Sequence, residues 1–244
     1  MTKQGADSPL LSPLITRLRL HSHLSDAEVH ALNELPYVIV RQRQGTEIVA
    51  DGQKTVPCAV LLEGFVIRSR ISDDGKRQIL GLYVLGDPLD LDHLYIPIAD
   101  DTLEAVRDTV IAYIRHRDLD ELIADHPGIG KAFIRTMLVD SSIFREWTLN
   151  VGQRNARKRI AHLFCEIALR LKAQGVDFAN VPLPLTQDQI ADATGLTPVH
   201  VNRTLKAFTA EDRIKRRAGF VMIPDLDRLF EIAGFDNRYL HFEP

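Results

Sequence analysis

A helix beginning near residue 198 would carry side chains suited to reading a DNA base pair. Arg203 ends in a planar guanidinium whose parallel N–H groups match the O6 and N7 acceptors of guanine in the major groove. A phosphate contact or an intramolecular salt bridge is the alternative role for Arg203. Val199 is placed to meet a thymine methyl group. The predicted DNA-contacting set of this helix is completed by Pro198, His200, Asn202 and Lys206, of which the last three contact phosphates or nothing.

Residues 185–210 satisfy several independent requirements of a helix-turn-helix at fixed offsets. Thr186 and Gln189 form a capping box that begins a first helix, and Gly195 supplies the left-handed residue that ends it. Thr197 is placed to cap the second helix, which would be the recognition helix. The second helix has an apolar face that must pack against the first, formed by Val201, Leu205 and Phe208 against Ile190 and Leu196. The segment therefore predicts a helix-turn-helix.

Two further groups of residues flank this motif with phosphate-binding potential. Thr186 and Gln187 lie at a helix N-terminus, where free backbone amides suit a phosphate oxygen. Residues 213–217 and 220–223 predict a two-stranded wing that turns at residues 218–219. Its cations are Lys215, Arg216 and Arg217. A basic wing mainly adds affinity that does not depend on sequence.

The charges of the chain are segregated in a way that fits a DNA-facing surface. The 244 residues carry a net charge of −3, yet residues 154–220 hold 12 Lys or Arg against 6 Asp or Glu. An ordinary solvated face is the alternative explanation of this basic stretch. The two cysteines, Cys58 and Cys165, lie far apart and cannot form a disulfide framework. No window approaches the roughly 20 apolar residues of a membrane helix, so we expect a soluble, cytoplasmic protein without membrane contact.

The elements that must position the motif begin with a sheet region. Short runs rich in Val and Ile alternate with turn residues, at positions 37–40, 59–62, 65–71, 78–84 and 109–114. Asp74-Gly75 between two of these runs is a strong hairpin signal. Short helices precede them at residues 11–35, with Ser25 and Glu28 as a capping box. The pattern predicts an α+β protein with an N-terminal antiparallel barrel or jelly roll.

One long helix is expected between the sheet region and the helix-turn-helix, from Pro127 to about Val151. Six of its residues are spaced like the seam of a coiled coil, namely Ile134, Met137, Ser141, Phe144, Thr148 and Val151. Phe133, Ile143 and Trp147 lie off this seam. Two apolar faces would let the helix pack on its own barrel and on a second copy, which predicts a homodimer. A single wide core face is the alternative.

A break at residues 152–155, with Asn155 as the next N-cap, marks a candidate hinge and domain boundary. We therefore predict an effector domain at residues 1–126, a dimerisation helix and hinge at 127–153, and a winged helix-turn-helix domain at 154–244.

Nearly the whole chain resembles the Crp/Fnr family of transcription regulators, and the run GLTPVHVNRTL is the most specific match. Gly195, Val201, Arg203 and Leu205 fall on matching positions, and Arg203 matches a base-contacting arginine of that family. The resemblance implies a cyclic-nucleotide-binding-like jelly roll, a homodimer on duplex DNA and RNA polymerase as a partner. Many members carry glutamate where this chain has Val199, so their half-site is not implied here. Activation and repression both stay open.

The effector side departs from that family. Cyclic-nucleotide binders have a Gly-Glu pair followed by an Arg-Ser or Arg-Thr pair, and neither is present in the matching stretch, residues 86–104. Residues 86–104 contain six acidic residues and no Lys or Arg, so we expect no binding of cyclic AMP. The cysteine cluster of the oxygen-sensing branch is also missing. The expected pocket for an unidentified small-molecule effector includes Leu89, Asp90, Asp92 and His93.

Three alternatives remain at this stage. A haem or metal at His93 is one, against an ordinary loop histidine; we expect no cofactor and no metal. A cupin-like metalloenzyme would draw its ligands from His21, His23, His93, His116 and His126. The third is a constitutive DNA binder whose barrel no longer senses a signal. We expect a regulator and not an enzyme.

Overall fold

The structure is a computed structural model that describes residues 10–54, 57–177, 182–217 and 220–242. It begins with two short helices, α1 (Ser12–Arg19) and α2 (Asp26–Glu34). The predicted capping box at α2 is confirmed, because Glu28 N donates to Ser25 Oγ at 3.3 Å and Ser25 N donates to Glu28 Oε2 at 2.8 Å.

Seven short strands follow and form two antiparallel sheets. They are β1 (Val38–Gln42), β2 (Glu47–Val49), β3 (Pro57–Glu63), β4 (Val66–Ile71), β5 (Arg77–Tyr83), β6 (Thr102–Ala105) and β7 (Thr109–Arg115). One sheet has the order β1-β7-β3 and the other β2-β6-β4-β5. The β4–β5 pair is the hairpin predicted at Asp74-Gly75. All five predicted runs are strands, and β2 and β6 were not expected.

The two sheets enclose an apolar core. Ala59, Leu61 and Ile111 contribute from the first sheet, and Val66 and Leu103 contribute from the second. All five are fully buried. The predicted antiparallel jelly-roll architecture is therefore confirmed. Helices pack against the outer surfaces of its sheets.

Three helices lead from the sheets to the C-terminal part: α3 (His116–Asp125), α4 (Pro127–Gln153) and α5 (Ala156–Ala173). The sheet region ends at Arg115, because α3 begins at His116. The break after α4 is confirmed: Arg154 is extended, and the Asn155 side chain accepts a bond from Lys158 N at 3.0 Å. No helix of the described ranges is both long and apolar enough to cross a membrane.

The C-terminal part is a winged helix-turn-helix followed by a segment that returns to the barrel. Its elements are α6 (Gln187–Thr194), α7 (Pro198–Ala210), β8 (Lys215–Arg217), β9 (Phe220–Met222) and α8 (Asp227–Ala233). We name residues 235–242, which include a turn of 3-10 helix at Asn237–Leu240, the C-terminal strap.

Polar contacts join the winged part directly to the barrel. Arg77 Nε of β5 lies 2.8 Å from Asp192 Oδ2 of α6, and Arg170 Nη2 of α5 lies 2.6 Å from Asp87 Oδ2. The strap adds a third link, because His21 Nδ1 lies 2.9 Å from the carbonyl oxygen of His241. The division into domains at residues 126 and 153 stays a prediction.

Candidate nucleic-acid interface

The first helix of the motif is held at both ends by the residues that its sequence indicates. Gln189 N donates to Thr186 Oγ1 at 3.2 Å, and Thr186 N donates to Gln189 Oε1 at 3.0 Å. Gly195 ends α6 with φ +60°, in the left-handed region that glycine adopts without strain. A Cβ atom at Gly195 would lie 3.0 Å from Val151 Cγ1, so the turn also packs closely on the end of α4.

The recognition helix α7 is fixed on its inner face and free on its outer face. Thr197 Oγ1 accepts a bond from His200 N at 3.3 Å, as predicted for its N-cap. The inward side chains Val201, Leu205 and Phe208 are fully buried. Because three anchors one turn apart set the rotation of a helix, they also determine which residues of α7 point outward.

The outward residues of α7 include most of the predicted DNA contacts. Val199 is 78% exposed, which is unusual for a valine and leaves its methyl groups available. Arg203 and Lys206 are exposed, and within the described part of the chain neither forms an ion pair. The remaining exposed members are Pro198 and His200. The geometry therefore leaves Arg203 at the centre of an open, cationic helix face.

Asn202 is held differently from its neighbours. It is half-buried, and its Nδ2 donates to Gln187 Oε1 at 2.7 Å. This bond connects the recognition helix to the first turn of α6. Gln187 Oε1 is an acceptor, so a phosphate oxygen would have to be bound by the second N–H of Asn202 Nδ2 or by Gln187 Nε2. Thr186 at the same helix end is exposed and uses its hydroxyl as the cap.

The wing forms where it was predicted. β8 pairs with β9 in antiparallel register, Lys215 opposite Met222 and Arg217 opposite Phe220. Lys215, Arg216 and Arg217 are all exposed. The predicted turn at residues 218–219 lies outside the described residues. Arg107 of the barrel stacks its guanidinium on the Phe220 ring at 4.1 Å, so the wing also contacts the barrel.

Helix α4 has one buried and one uncovered apolar face. Phe133, Ile143 and Trp147 are buried against the chain itself. On the other face Ile134 is 59% exposed and Phe144 is 51% exposed. Of the other predicted seam residues, Ser141 and Thr148 are exposed, and Met137 and Val151 are half-buried. Two exposed leucines, Leu138 and Leu149, extend this face and were missed because they lie off the heptad spacing.

Residues 86–104 suggested a purely acidic effector region, but the structure adds a cation to it. Arg68 reaches it from β4, a strand outside that window. Its Nη1 lies 2.9 Å from Asp101 Oδ2 and 3.3 Å from Asp92 Oδ2, and its Nη2 donates to the Leu89 carbonyl at 2.6 Å. These partners occupy both Nη atoms, so a cyclic phosphate would have to displace them.

Asp90 and His93 are buried and hydrogen-bonded within the fold. Asp90 Oδ1 accepts a bond from Ala59 N at 2.7 Å, and burial raises the pKa of this carboxyl to about 7. His93 is also buried, and its backbone N donates to the Asp90 carbonyl at 2.9 Å. Among the described residues no group of three or more His, Cys, Asp and Glu side chains is arranged to hold a metal ion.

Two cavities lie where the second sheet faces α4. A cavity of about 420 Å³ is bounded by β4, β5 and α4, with Arg68, Arg70 and Arg170 facing Asp100, Asp101 and Asp140. A smaller one of about 150 Å³ lies beside it, and of the predicted effector residues Leu89 and Asp92 line it. Asp90 and His93 line neither cavity. Sequence reasoning missed Arg68 and Asp140 because they belong to distant segments.

Comparison with known proteins agrees with this architecture. Residues 158–232 match the model of the Crp-like helix-turn-helix domain. The transcriptional activator protein FnrL of Cereibacter sphaeroides is 29% identical over 215 residues, covering 86% of each chain. The fumarate and nitrate reduction regulatory protein of Vibrio cholerae is 22% identical over 223 residues, covering 90% of this chain and 88% of its own.

Solved structures show the same fold. FixK2 from Bradyrhizobium japonicum superposes with a TM-score of 0.73 at 21% identity, covering 81% of this chain and 98% of its own. TTHB099 from Thermus thermophilus superposes with a TM-score of 0.66 at 22% identity, covering 80% of this chain and 97% of its own.

A jelly roll, a long helix and a winged helix-turn-helix with an exposed cationic face define a DNA-binding transcription regulator. The matched helix-turn-helix domain and the similarity to FnrL support a DNA-binding regulator of the Crp/Fnr type. The similar proteins are transcription regulators and not enzymes, which argues against the metalloenzyme alternative.

Proposed function

We propose that two copies of this regulator pair through the uncovered face of α4 and present their two α7 helices to successive major grooves of duplex DNA. One observation carries the proposal: the same chain has an open base-reading face around Arg203 and a separate uncovered apolar face around Ile134 and Phe144. Two-fold pairing would match a palindromic operator, because each α7 reads one half-site. Arg203 is the residue that distinguishes guanine in this arrangement.

The test is genome-wide footprinting of the purified protein and of its Arg203→Ala variant. Loss of the guanidinium should remove the preference at one base pair in each half-site, a change of about 1 to 3 kcal/mol or roughly 5- to 150-fold. Lys215→Ala is the matched control, since an exposed wing cation should weaken binding equally at all sequences. Uniform weakening by Arg203→Ala would show that Arg203 contacts a phosphate instead.

The sensor function belongs to the same proposal. A small molecule other than cyclic AMP would occupy the cavity of about 420 Å³ between β4, β5 and α4 and change the orientation of the winged part about Arg154. The equal numbers of Arg and Asp on its wall favour a ligand that carries both charges or neither. Calorimetry with cyclic AMP should give no saturable heat, and micromolar binding would contradict this expectation.

Constitutive DNA binding is the competing candidate, since Arg68 and its carboxylates fill part of the effector region by themselves. Operator affinity measured before and after removal of co-purified small molecules separates the two, because a switch must bind its ligand differently in its two states. The proposal also includes action in the cytoplasm and contact with RNA polymerase on the operator. It includes no resident haem or metal at His93, and an absorbance spectrum with metal analysis of the purified protein tests this point.

A further inference from the structure

Arg159, near the start of α5, contacts two helix ends at once. Its Nε donates to the carbonyl of Arg154 at 2.7 Å, directly after α4. Its Nη1 donates to the carbonyl of Thr194 at 3.0 Å and lies 3.5 Å from that of Gly195, where α6 ends. Within the described ranges no carboxylate pairs with this guanidinium. The hydrogen-bond partners of the Arg159 guanidinium are therefore backbone carbonyls.

These carbonyls are good partners for a cation. The last carbonyls of a helix have no intrahelical donor and carry the negative end of the helix dipole. The fork of a guanidinium can satisfy carbonyls of two different segments, whereas the compact ammonium group of lysine cannot span both. The backbone of Arg159 is also held, because Asn150 Nδ2 of α4 donates to its carbonyl at 3.3 Å.

The same junction is packed as well as bonded. Val151 is a seam residue of α4, and it lies against Gly195 so closely that a Cβ atom there would be 3.0 Å from Val151 Cγ1. The turn at Gly195 leads within three residues into α7, which carries Arg203. The seam of α4 is therefore joined to the turn before the recognition helix by the packing of Val151 and by the hydrogen bonds of Arg159.

We propose that Arg159 is a positioning residue that fixes the recognition helix relative to the dimerisation helix, and so sets the half-site separation that the dimer accepts. The inference rests on the paired arrangement proposed above. A rigid junction makes the distance between the two α7 helices a property of the folded dimer. Without Arg159 the turn keeps its own fold but loses its bonds to the end of α4.

The experiment measures affinity for duplexes that carry two copies of the footprinted half-site, with the centre-to-centre spacing changed one base pair at a time. The wild-type protein should prefer one spacing by at least 10-fold. Arg159→Gln should reduce that preference to less than 3-fold, while its affinity for a single half-site stays within 3-fold of wild type. Lys158→Gln is the matched control, because it removes one charge from the adjacent, exposed position and should keep the preference.

Each other outcome contradicts a definite statement. Equal spacing preference in the wild type and in Arg159→Gln would refute the role of Arg159 alone. A salt dependence whose slope falls by about 1 in the variant would make Arg159 a phosphate contact and refute the proposal. Absence of any spacing preference in the wild type would refute the paired arrangement itself.

A second variant covers the case in which Arg159→Gln does not fold, as judged by the fluorescence of Trp147. Arg159→Lys can reach one of the carbonyls and should show an intermediate spacing preference. Wild-type preference in Arg159→Lys would then overturn the proposal.

Discussion

His162 is a fully buried histidine whose surroundings disfavour its charged form. Its ring contacts those of Phe235 and Tyr239, with centroids 4.8 and 5.7 Å away. Burial, with a smaller effect of Arg154, lowers the pKa of His162 to about 3. Glu146 Oε1 lies 3.2 Å from His162 Nε2, but it is also bound by Arg154 at 2.6 Å and so offers little charge to the imidazole.

This environment predicts a pH dependence of stability. An unfolded histidine takes up a proton near pH 6.5, and the folded one does so only near pH 3, so the contribution is complete above about pH 6.5 and is lost as the pH falls. Between pH 6.5 and 5 His162 should cost the wild type about 2 kcal/mol of unfolding free energy. His162→Gln should lack this part of the dependence. Urea unfolding followed by the fluorescence of Trp147 measures it.

The control for this prediction is His23→Gln, which removes an exposed histidine and should leave the wild-type pH dependence. A pH dependence in His162→Gln equal to that of the wild type would contradict the assignment of the effect to His162.

At the residue scale the sequence predicts hydrogen bonds between neighbouring residues better than bonds between residues far apart in the chain. The capping residues Thr186, Thr197 and Asn155 act locally, within three residues of their partners, and their bonds follow from the sequence alone. Asn202 and Gln187 are 15 positions apart, and their bond depends on how α7 crosses α6. A single sequence carries no signal for such a crossing, so the bond was not predicted, and the DNA contacts assigned to both residues stay predictions.

At the element scale, Gly86 is the point where α1 and the end of α5 approach the turn after β5. Its φ is +85°, and a Cβ atom there would lie 2.4 Å from the carbonyl oxygen of Pro13 and 2.6 Å from Gln174 Nε2. The backbone of α1 cannot move away cheaply, because Arg17 of the same helix binds Asp87 at 2.7 Å.

Gly86→Ala should therefore destabilise the protein both by backbone strain and by a steric clash of the new Cβ atom. Gly75→Ala should destabilise it by backbone strain alone. Gly75 has a similar φ of +79° but nothing within 4 Å of its Cβ position. We expect about 1 to 2 kcal/mol for the backbone in each variant and about 1 to 3 kcal/mol more for the overpacked Gly86 site. Urea denaturation of the two variants gives the difference, and equal losses would contradict the close approach.

Elements with local signals were predictable, and elements that depend on distant pairing were not. The long helix has Pro127 in its first turn and Asn155 as the cap of its successor. β2 and β6 have only three and four residues, and β2 pairs with β6 more than 50 positions away. Strands so short carry too few alternations to identify, and their stability comes from neighbours far along the chain.

At the scale of the whole molecule, the uncovered face of α4 predicts the effect of a charge at its centre. Phe144→Asp would bury an unpaired carboxylate in a paired seam, which costs several kcal/mol and should raise the dissociation constant of the dimer by at least about 100-fold. The side chain is exposed in one copy, so the fold should be retained. Sedimentation velocity measures the mass, and the far-ultraviolet circular dichroism checks the fold.

Ile71→Asp provides the comparison, because Ile71 is 72% exposed on the β4–β5 hairpin and away from α4. It should sediment like the wild type. A Phe144→Asp protein that keeps the wild-type mass would contradict the proposed pairing through the uncovered face of α4.

The architecture of the molecule was predictable as a succession of parts, but not the contacts between them. The jelly roll, long helix and winged part each follow from periodicity and turn residues. The bonds from Arg77 to Asp192 and from Arg170 to Asp87 join segments more than 80 residues apart, and no local pattern announces them. For the same reason the sequence did not indicate that Arg68 and Asp140 lie in the effector region.

The C-terminal strap makes the first described helix a neighbour of the last described residues. His21 Nδ1 bonds the carbonyl of His241, 220 positions later, and Phe242 stacks on the same imidazole at 5.8 Å. A ribosome synthesises the chain from its N-terminus, so His21 gains these partners only after residue 242 has emerged from the exit tunnel. A translation product stalled before residue 235 therefore lacks this link between the strap and the end of α1, although Arg77–Asp192 and Arg170–Asp87 can already join the winged part to the barrel.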